Sequence, residues 1–161
     1  MSYERAEGEV SALYRPMAAP DLDDGANAMT FVAPGSVTRR QFGIFRRDMK
    51  PHAGGPGAHF HRTFSESFYV LSGTVRFYDG ATWFAAKAGD FVYIPKGGIH
   101  AFDADSDEPA SMLILFAPAP ARERYFTEVA EIRASGRRMS RREWTEFWAR
   151  HDQYMVESPG R

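Results

Sequence analysis

His59-Phe60-His61-Arg62-Thr63-Phe64-Ser65-Glu66-Ser67-Phe68-Tyr69-Val70-Leu71-Ser72-Gly73 is the stretch whose reading decides the fold. Alternate residues of a strand point to the same face, so His59 and His61 project together and Phe60 projects away. In the run that follows, Glu66, Phe68 and Val70 share a face. If the intervening turn restores the inward face at Glu66, three ligand-type side chains converge. A third imidazole arrives from Pro95-Lys96-Gly97-Gly98-Ile99-His100, at the start of another strand. An ionised Glu66 on the inward face of an apolar strand is costly unless it is paired or coordinated. Arg62 is the only cation nearby in sequence.

A lone strand histidine is ordinarily a surface or satisfied polar residue. Here three imidazoles and one carboxylate fall in one spacing pattern, which is the donor set of a metal site. Nitrogen and oxygen ligands of this kind suit one divalent transition metal (Fe, Mn, Ni, Co, Cu or Zn) and suit Ca or Mg poorly. The chain has no cysteine, so thiolate ligation and disulfides are excluded. Six-coordinate metal on four protein ligands keeps two positions open, a catalytic arrangement and not a closed structural one.

Outward from this core, short apolar runs alternate with turn signals. Residues 28–32, 38–48, 66–71, 74–78, 82–85, 91–94, 100–102 and 111–116 read as strands. They are separated by Pro34-Gly35-Ser36, the hairpin pair Asp79-Gly80, Ala88-Gly89-Asp90 and Gly97-Gly98. Many short strands with no helix between them predict an all-β antiparallel barrel. After Pro118-Ala119-Pro120 the period changes. Tyr125, Phe126, Val129 and Ile132 recur at helical spacing, with Gly136 as a stop. Ser140 and Glu143 form a capping box ahead of Trp144, Phe147, Trp148 and His151 on one helix face. The expected organisation is an arm over 1–27, a β-barrel over 28–118 and a tail of two helices over 119–161.

Composition bounds the partners. The 161 residues suffice for one sizeable core, and a net charge of −1 argues against nucleic acid or an anionic membrane as the main partner. No run of 18 apolar residues is present, and the charged start Met1-Ser2-Tyr3-Glu4-Arg5 lacks the apolar segment of a secretory signal. A cytoplasmic location is expected. Exposed sheet edges and the aromatic tail lead us to expect a homodimer.

The motifs resemble the cupin superfamily. Its first motif, H-x-H followed by a short gap, E, six residues and G, is matched by His59, His61, Glu66 and Gly73. Its second motif is matched by Gly89, Pro95, Gly97 and His100, with Ala104 where Asn is usual, and the leading glycine of the first motif is displaced by one residue to Gly54. The Asn is not a ligand in that family, so its loss bears on barrel closure and not on the metal. The segments Phe68-Tyr69-Val70-Leu71-Ser72-Gly73, Leu113-Ile114-Leu115-Phe116-Ala117-Pro118 and Arg124-Tyr125-Phe126 are similar to the small quercetin-dioxygenase-like cupins of bacteria. The resemblance implies a jelly-roll-type barrel that binds metal through His59, His61, Glu66 and His100. It also implies a dioxygenase of small aromatic or enolic substrates, with Glu66 as the base. A metal-dependent isomerase, cyclase or lyase is the alternative, and a non-catalytic small-molecule-binding module is the third reading. A regulator would ordinarily carry a helix-turn-helix ahead of the barrel, for which this chain leaves no evident room.

Other aromatics are most simply core, with two exceptions. Phe68 and Phe102 each lie two residues from a ligand on the same face and are candidates for a substrate cavity. His52 sits in a Pro/Gly loop and reads as exposed, and His151 as a packed or capping residue. The basic run Arg137-Arg138-Met139-Ser140-Arg141-Arg142 reads as a solvated helix start.

Overall fold

The computed structural model describes residues 3–157. In chain order its elements are β1 (Leu22–Asp23), β2 (Asn27–Ala33), β3 (Gly43–Met49), β4 (His59–Phe60), β5 (Ser65–Ser72), β6 (Thr74–Tyr78), β7 (Trp83–Lys87), β8 (Phe91–Ile94), β9 (Ala101–Asp103) and β10 (Ala110–Ala117). The helices α1 (Arg122–Ala134) and α2 (Arg141–Arg150) follow, and then the short strand β11 (Tyr154–Met155). Among the described residues, no helix is long and apolar enough to cross a membrane.

Every strand pairing is antiparallel. One sheet runs β1-β2-β3-β10-β5-β8, a second runs β7-β6-β9, and β11 pairs with β4 alone. The fold is therefore mostly β with two helices, as the sequence predicts, and is consistent with a jelly roll. The expectation of a closed barrel is corrected: the ladders form three separate sheets. The physical reason lies in the turns. Pro95 ends β8, and the Gly/Pro loop 51–57 leaves β4 only two residues long, so no continuous ladder can pass from one sheet to the next.

Alternation builds the core. Along β5 Glu66, Phe68 and Val70 are buried while Tyr69 is exposed, and along β10 Met112, Ile114 and Phe116 point inward. Phe45, Phe64 and Phe77 complete the interior. Helix α1 lays Phe126 against Phe45 at 5.3 Å and Phe116 at 6.4 Å, closing the open side of the large sheet. In α2 only Phe147 is buried, packed on Tyr125 at 5.9 Å.

Two further expectations change. The strand read over 38–48 begins only at Gly43, because Arg39 and Arg40 adopt positive φ and residues 36–40 form turns. The strand β11 after α2 carries no periodic signal in so short a segment, yet it pairs Tyr154 with Phe60 and Met155 with His59. At Gly73, φ is +69° and a Cβ would stand 2.2 Å from the Pro109 carbonyl, so the glycine of the first motif is required by the turn and by close packing.

Candidate metal centre

Backbone pairing aims the four side chains. His59 and His100 face each other across an isolated antiparallel bridge: each amide donates to the other's carbonyl, at 3.0 and 2.9 Å. His61 follows β4, and its carbonyl accepts from the Gly97 amide at 2.7 Å. Glu66 sits in β5 between Phe116 of β10 and Ile94 of β8. All four residues are buried, between 0% and 4% exposed. One ligand atom from each lies within 4.8 Å of the others. Metal–ligand bonds of about 2.1 Å put opposite ligands about 4.2 Å apart, so the cluster has the dimensions of a coordination sphere.

The hydrogen bonds decide the ring tautomers. His59 Nδ1 donates to the Gly57 carbonyl at 2.8 Å, His61 Nδ1 to the Asp152 carbonyl at 2.6 Å and His100 Nδ1 to the Gly98 carbonyl at 3.1 Å. A carbonyl only accepts, so each Nδ1 carries the proton and each neutral ring turns a lone pair outward at Nε2. Yet Glu66 Oε2 lies 3.0 Å from His61 Nε2 and 2.9 Å from His100 Nε2. Lone pairs that close require a positive charge between them, either protons on the imidazoles or a cation. Orientation of ligating imidazoles by carbonyls through the other ring nitrogen is what metal sites use. The donor set therefore fits a divalent transition metal, which His59, His61, Glu66 and His100 could hold.

Electrostatics agree. Burial pushes the Glu66 carboxyl up, but the His100 charge and the hydrogen bonds from His100 and His61 overcome it, holding Glu66 well below the usual carboxylate range. Burial pulls His59 well below the usual imidazole value, reinforced by the charge of His100. For His100, burial works downward and is outweighed by the Glu66 carboxylate, so its value rises. Positive charge placed among these groups is favoured, and it concentrates on the side facing Glu66.

A cleft of about 830 Å³ reaches this cluster at His59 and Glu66. Phe102 lines it, as do Tyr125, Phe126, Trp144 and Trp148 from the two helices. Phe68 does not line it. It is 1% exposed, packed between Phe77 at 4.9 Å and Phe102 at 5.4 Å, so its place is the core behind the wall. His52 is exposed and bonds Asp107, and His151 caps α2 and meets Glu128 at 3.0 Å. Arg62 lies over the Tyr154 ring at 4.0 Å, away from the carboxylate that sequence proximity paired it with.

Residues 45–116 match the family described as Cupin domain. Over that stretch the chain is similar to a cupin domain. It is 34% identical over 88 residues to the uncharacterized HTH-type transcriptional regulator YdiP of Escherichia coli (strain K12), a stretch that is 55% of this chain and 28% of that regulator. The chain thus spans little more than a quarter of that relative's length. Two solved structures share the fold. A predicted oxalate decarboxylase from Thermotoga maritima is 21% identical with a TM-score of 0.53, over 56% of this chain and 79% of that one. The polyketide cyclase RemF from Streptomyces resistomycificus is 16% identical with a TM-score of 0.56, over 66% and 80%.

Three residues escape the sequence reading of this site. Asp152, at φ +52°, gives its carbonyl to His61, while its carboxylate accepts from the amides of Arg62 and Thr63 and from the Thr63 hydroxyl at 2.6–3.2 Å. Nothing in the residues near position 152 signals this. Arg47 and Arg122 line the cleft. Both were detectable: Arg47 alternates with the buried Phe45 and Met49, and Arg122 precedes Tyr125 and Phe126 by three and four residues on the apolar helix face. Ala104, where the second motif expects Asn, is fully buried, and its amide donates to the Ala53 carbonyl at 3.0 Å.

Proposed function

We propose that the cupin domain houses a metal-dependent dioxygenase of small aromatic or enolic substrates, in the manner of quercetin-dioxygenase-like cupins. The observation that carries this reading is the aromatic-walled cleft that opens onto His59 and Glu66. A planar ring or enol fits between Phe102 and the α1–α2 aromatics, with one polar edge toward the four-residue cluster. A divalent ion held by those residues supplies Lewis acidity to a substrate hydroxyl or enol. Glu66, ionised through neutral pH, takes the proton of that hydroxyl. The apolar walls hold the ring and exclude bulk water from the inner end.

The test is oxygen uptake by metal-loaded protein with a panel of flavonols and catechols. Oxygen uptake together with substrate consumption that stops without oxygen supports the reading, and Glu66→Gln is expected to cut turnover by at least about 100-fold while much of the metal stays bound. Complete loss of metal in that variant would reduce Glu66 to a ligand. A non-oxidative isomerase, cyclase or lyase is the second reading, favoured by the fold shared with RemF. It predicts turnover at the same rate in the absence of oxygen. The 34% identity to YdiP favours the third, a small-molecule-binding domain, which predicts binding with no turnover.

A further inference from the structure

We infer that the cleft beside the metal centre is a carboxylate site, in which Arg122, assisted by Arg47, binds the acid group of the substrate. The inference rests on the cleft being the substrate site and adds the class of substrate: a small aromatic or enolic acid.

Arg122 is 4% exposed, and its Nε is shielded from solvent with no hydrogen-bond partner. Its other nitrogens reach only neutral oxygens: Nη1 donates to the His151 carbonyl at 3.3 Å and Nη2 to Gln153 Oε1 at 3.2 Å. Aromatic faces surround the guanidinium, with Tyr125 at 3.9 Å, Phe116 at 5.2 Å and Phe126 at 5.4 Å. Those faces compensate a buried cation only in part, and a guanidinium does not escape by losing its proton. Among the described residues, no carboxylate lies within salt-bridge distance of it.

Arg47 repeats the pattern on the same cleft. Its Nε is shielded and unpartnered, and Nη2 donates to Asn27 Oδ1 at 2.9 Å and the Gly54 carbonyl at 3.3 Å. The guanidinium stands 5.2 Å from the Phe102 ring centre. The half-buried Arg76 differs: it binds Asp103 and Asp105, each at 3.0 Å.

The cleft's own carboxylates are hydrogen-bonded to other partners, although the charge of Glu66 reaches both guanidiniums and that of Asp24 reaches Arg47. Glu66 is turned to His61 and His100. Asp21, Asp23 and Asp24 are exposed at the rim, where they accept backbone amides of Phe31, Gly25 and Ala26, and Asp24 also meets Arg133. With two guanidiniums set against Glu66, the inner cleft carries net positive charge from its own residues. Released from Gln153, Nη2 and the unpartnered Nε of Arg122 would offer a carboxylate in the cleft two parallel hydrogen bonds.

The experiment is calorimetric titration of metal-loaded protein with benzoate and with its neutral amide, benzamide. Benzoate is expected to bind at least about tenfold more tightly. Arg122→Gln should remove that preference and Arg47→Gln should reduce it, with benzamide affinity unchanged in both. Arg122 also ties down the 151–153 turn, so circular dichroism melts accompany each variant. If Arg122→Gln does not fold, Arg47→Gln decides. Equal affinities in the unaltered protein overturn the inference, as does a preference that survives in every folded variant, or absence of benzoate binding. Failure of oxygen uptake with the preference intact removes the dioxygenase reading and leaves the carboxylate site standing.

Discussion

At His59, His61 and His100 the protons sit on the backbone-facing nitrogens, so the metal-facing nitrogens are fixed without any help from other side chains. This makes local backbone geometry a functional quantity. Gly55 is the position where it is tightest: a Cβ there would lie 1.9 Å from the Phe102 carbonyl, an impossible contact with a strand that cannot yield freely. Gly55→Ala is expected to destabilise the protein by about 1–3 kcal/mol, the usual cost of overpacking, read from the urea midpoint. The same substitution at Gly54 meets nothing within 4 Å and should leave the midpoint within about 0.5 kcal/mol. Motif spacing pointed to Gly54 as the displaced counterpart of the family glycine. A spacing pattern registers that a glycine is near, whereas close approach selects which one. The four-residue cluster itself was legible because charge on an apolar strand face needs an explanation. The same reasoning applied to Arg47 would have found it, since Arg47 shares a face with Phe45 and Met49.

Among the elements, α2 and β11 illustrate two degrees of legibility. The capping box at Ser140 and Glu143 is present as the sequence predicts, because it depends only on residues three apart. Glu143 is held at about 2 by the Ser140 amide, the Ser140 hydroxyl and Arg137. A folded-state value below the unfolded one contributes stability above the unfolded carboxyl value, and that contribution is lost as pH falls through about 2. Fluorescence of Trp144 and Trp148 should therefore report fraying of α2 as pH falls from about 4.3 toward 2, and Glu143→Gln should flatten that change. By contrast β11 was invisible, since two residues after a left-handed Asp152 have no period to read. Its consequence is larger, for that turn holds His61 from behind. Asp152→Ala is expected to weaken metal affinity by about tenfold, as loss of an outer support does. Asp152→Asn, which keeps an acceptor and tolerates positive φ, should retain most of it. Equal metal affinity in all three proteins, measured by competition with a chromophoric chelator, would make the turn a bystander.

Across the whole molecule, antiparallel β architecture and two terminal helices follow from residue pattern, while the division into three sheets does not. Strand identity is local, but ladder continuity depends on how far each Gly/Pro turn displaces the next strand. The four-residue cluster lies where that continuity fails: β4 belongs to the small sheet, β5 to the large one, and His100 precedes β9 of the third. The four side chains thus meet at a junction that backbone pairing alone secures weakly, through the His59–His100 bridge and the Gly97 amide on the His61 carbonyl. A cation held there by the four residues would tie the three sheets together and, bound more tightly to the folded than to the unfolded chain, would stabilise the fold by linkage. At a free metal concentration about 100 times Kd the gain is about 2.7 kcal/mol. For a chain of this length, that raises Tm by about 5–10 °C. Calorimetric scans of metal-loaded and chelator-treated protein should show this difference, and it should vanish in His59→Ala, whose two scans would coincide. A melt of the unaltered protein that ignores chelator and added metal alike would mean that protons on the imidazoles, and no metal, reconcile the lone pairs facing Glu66.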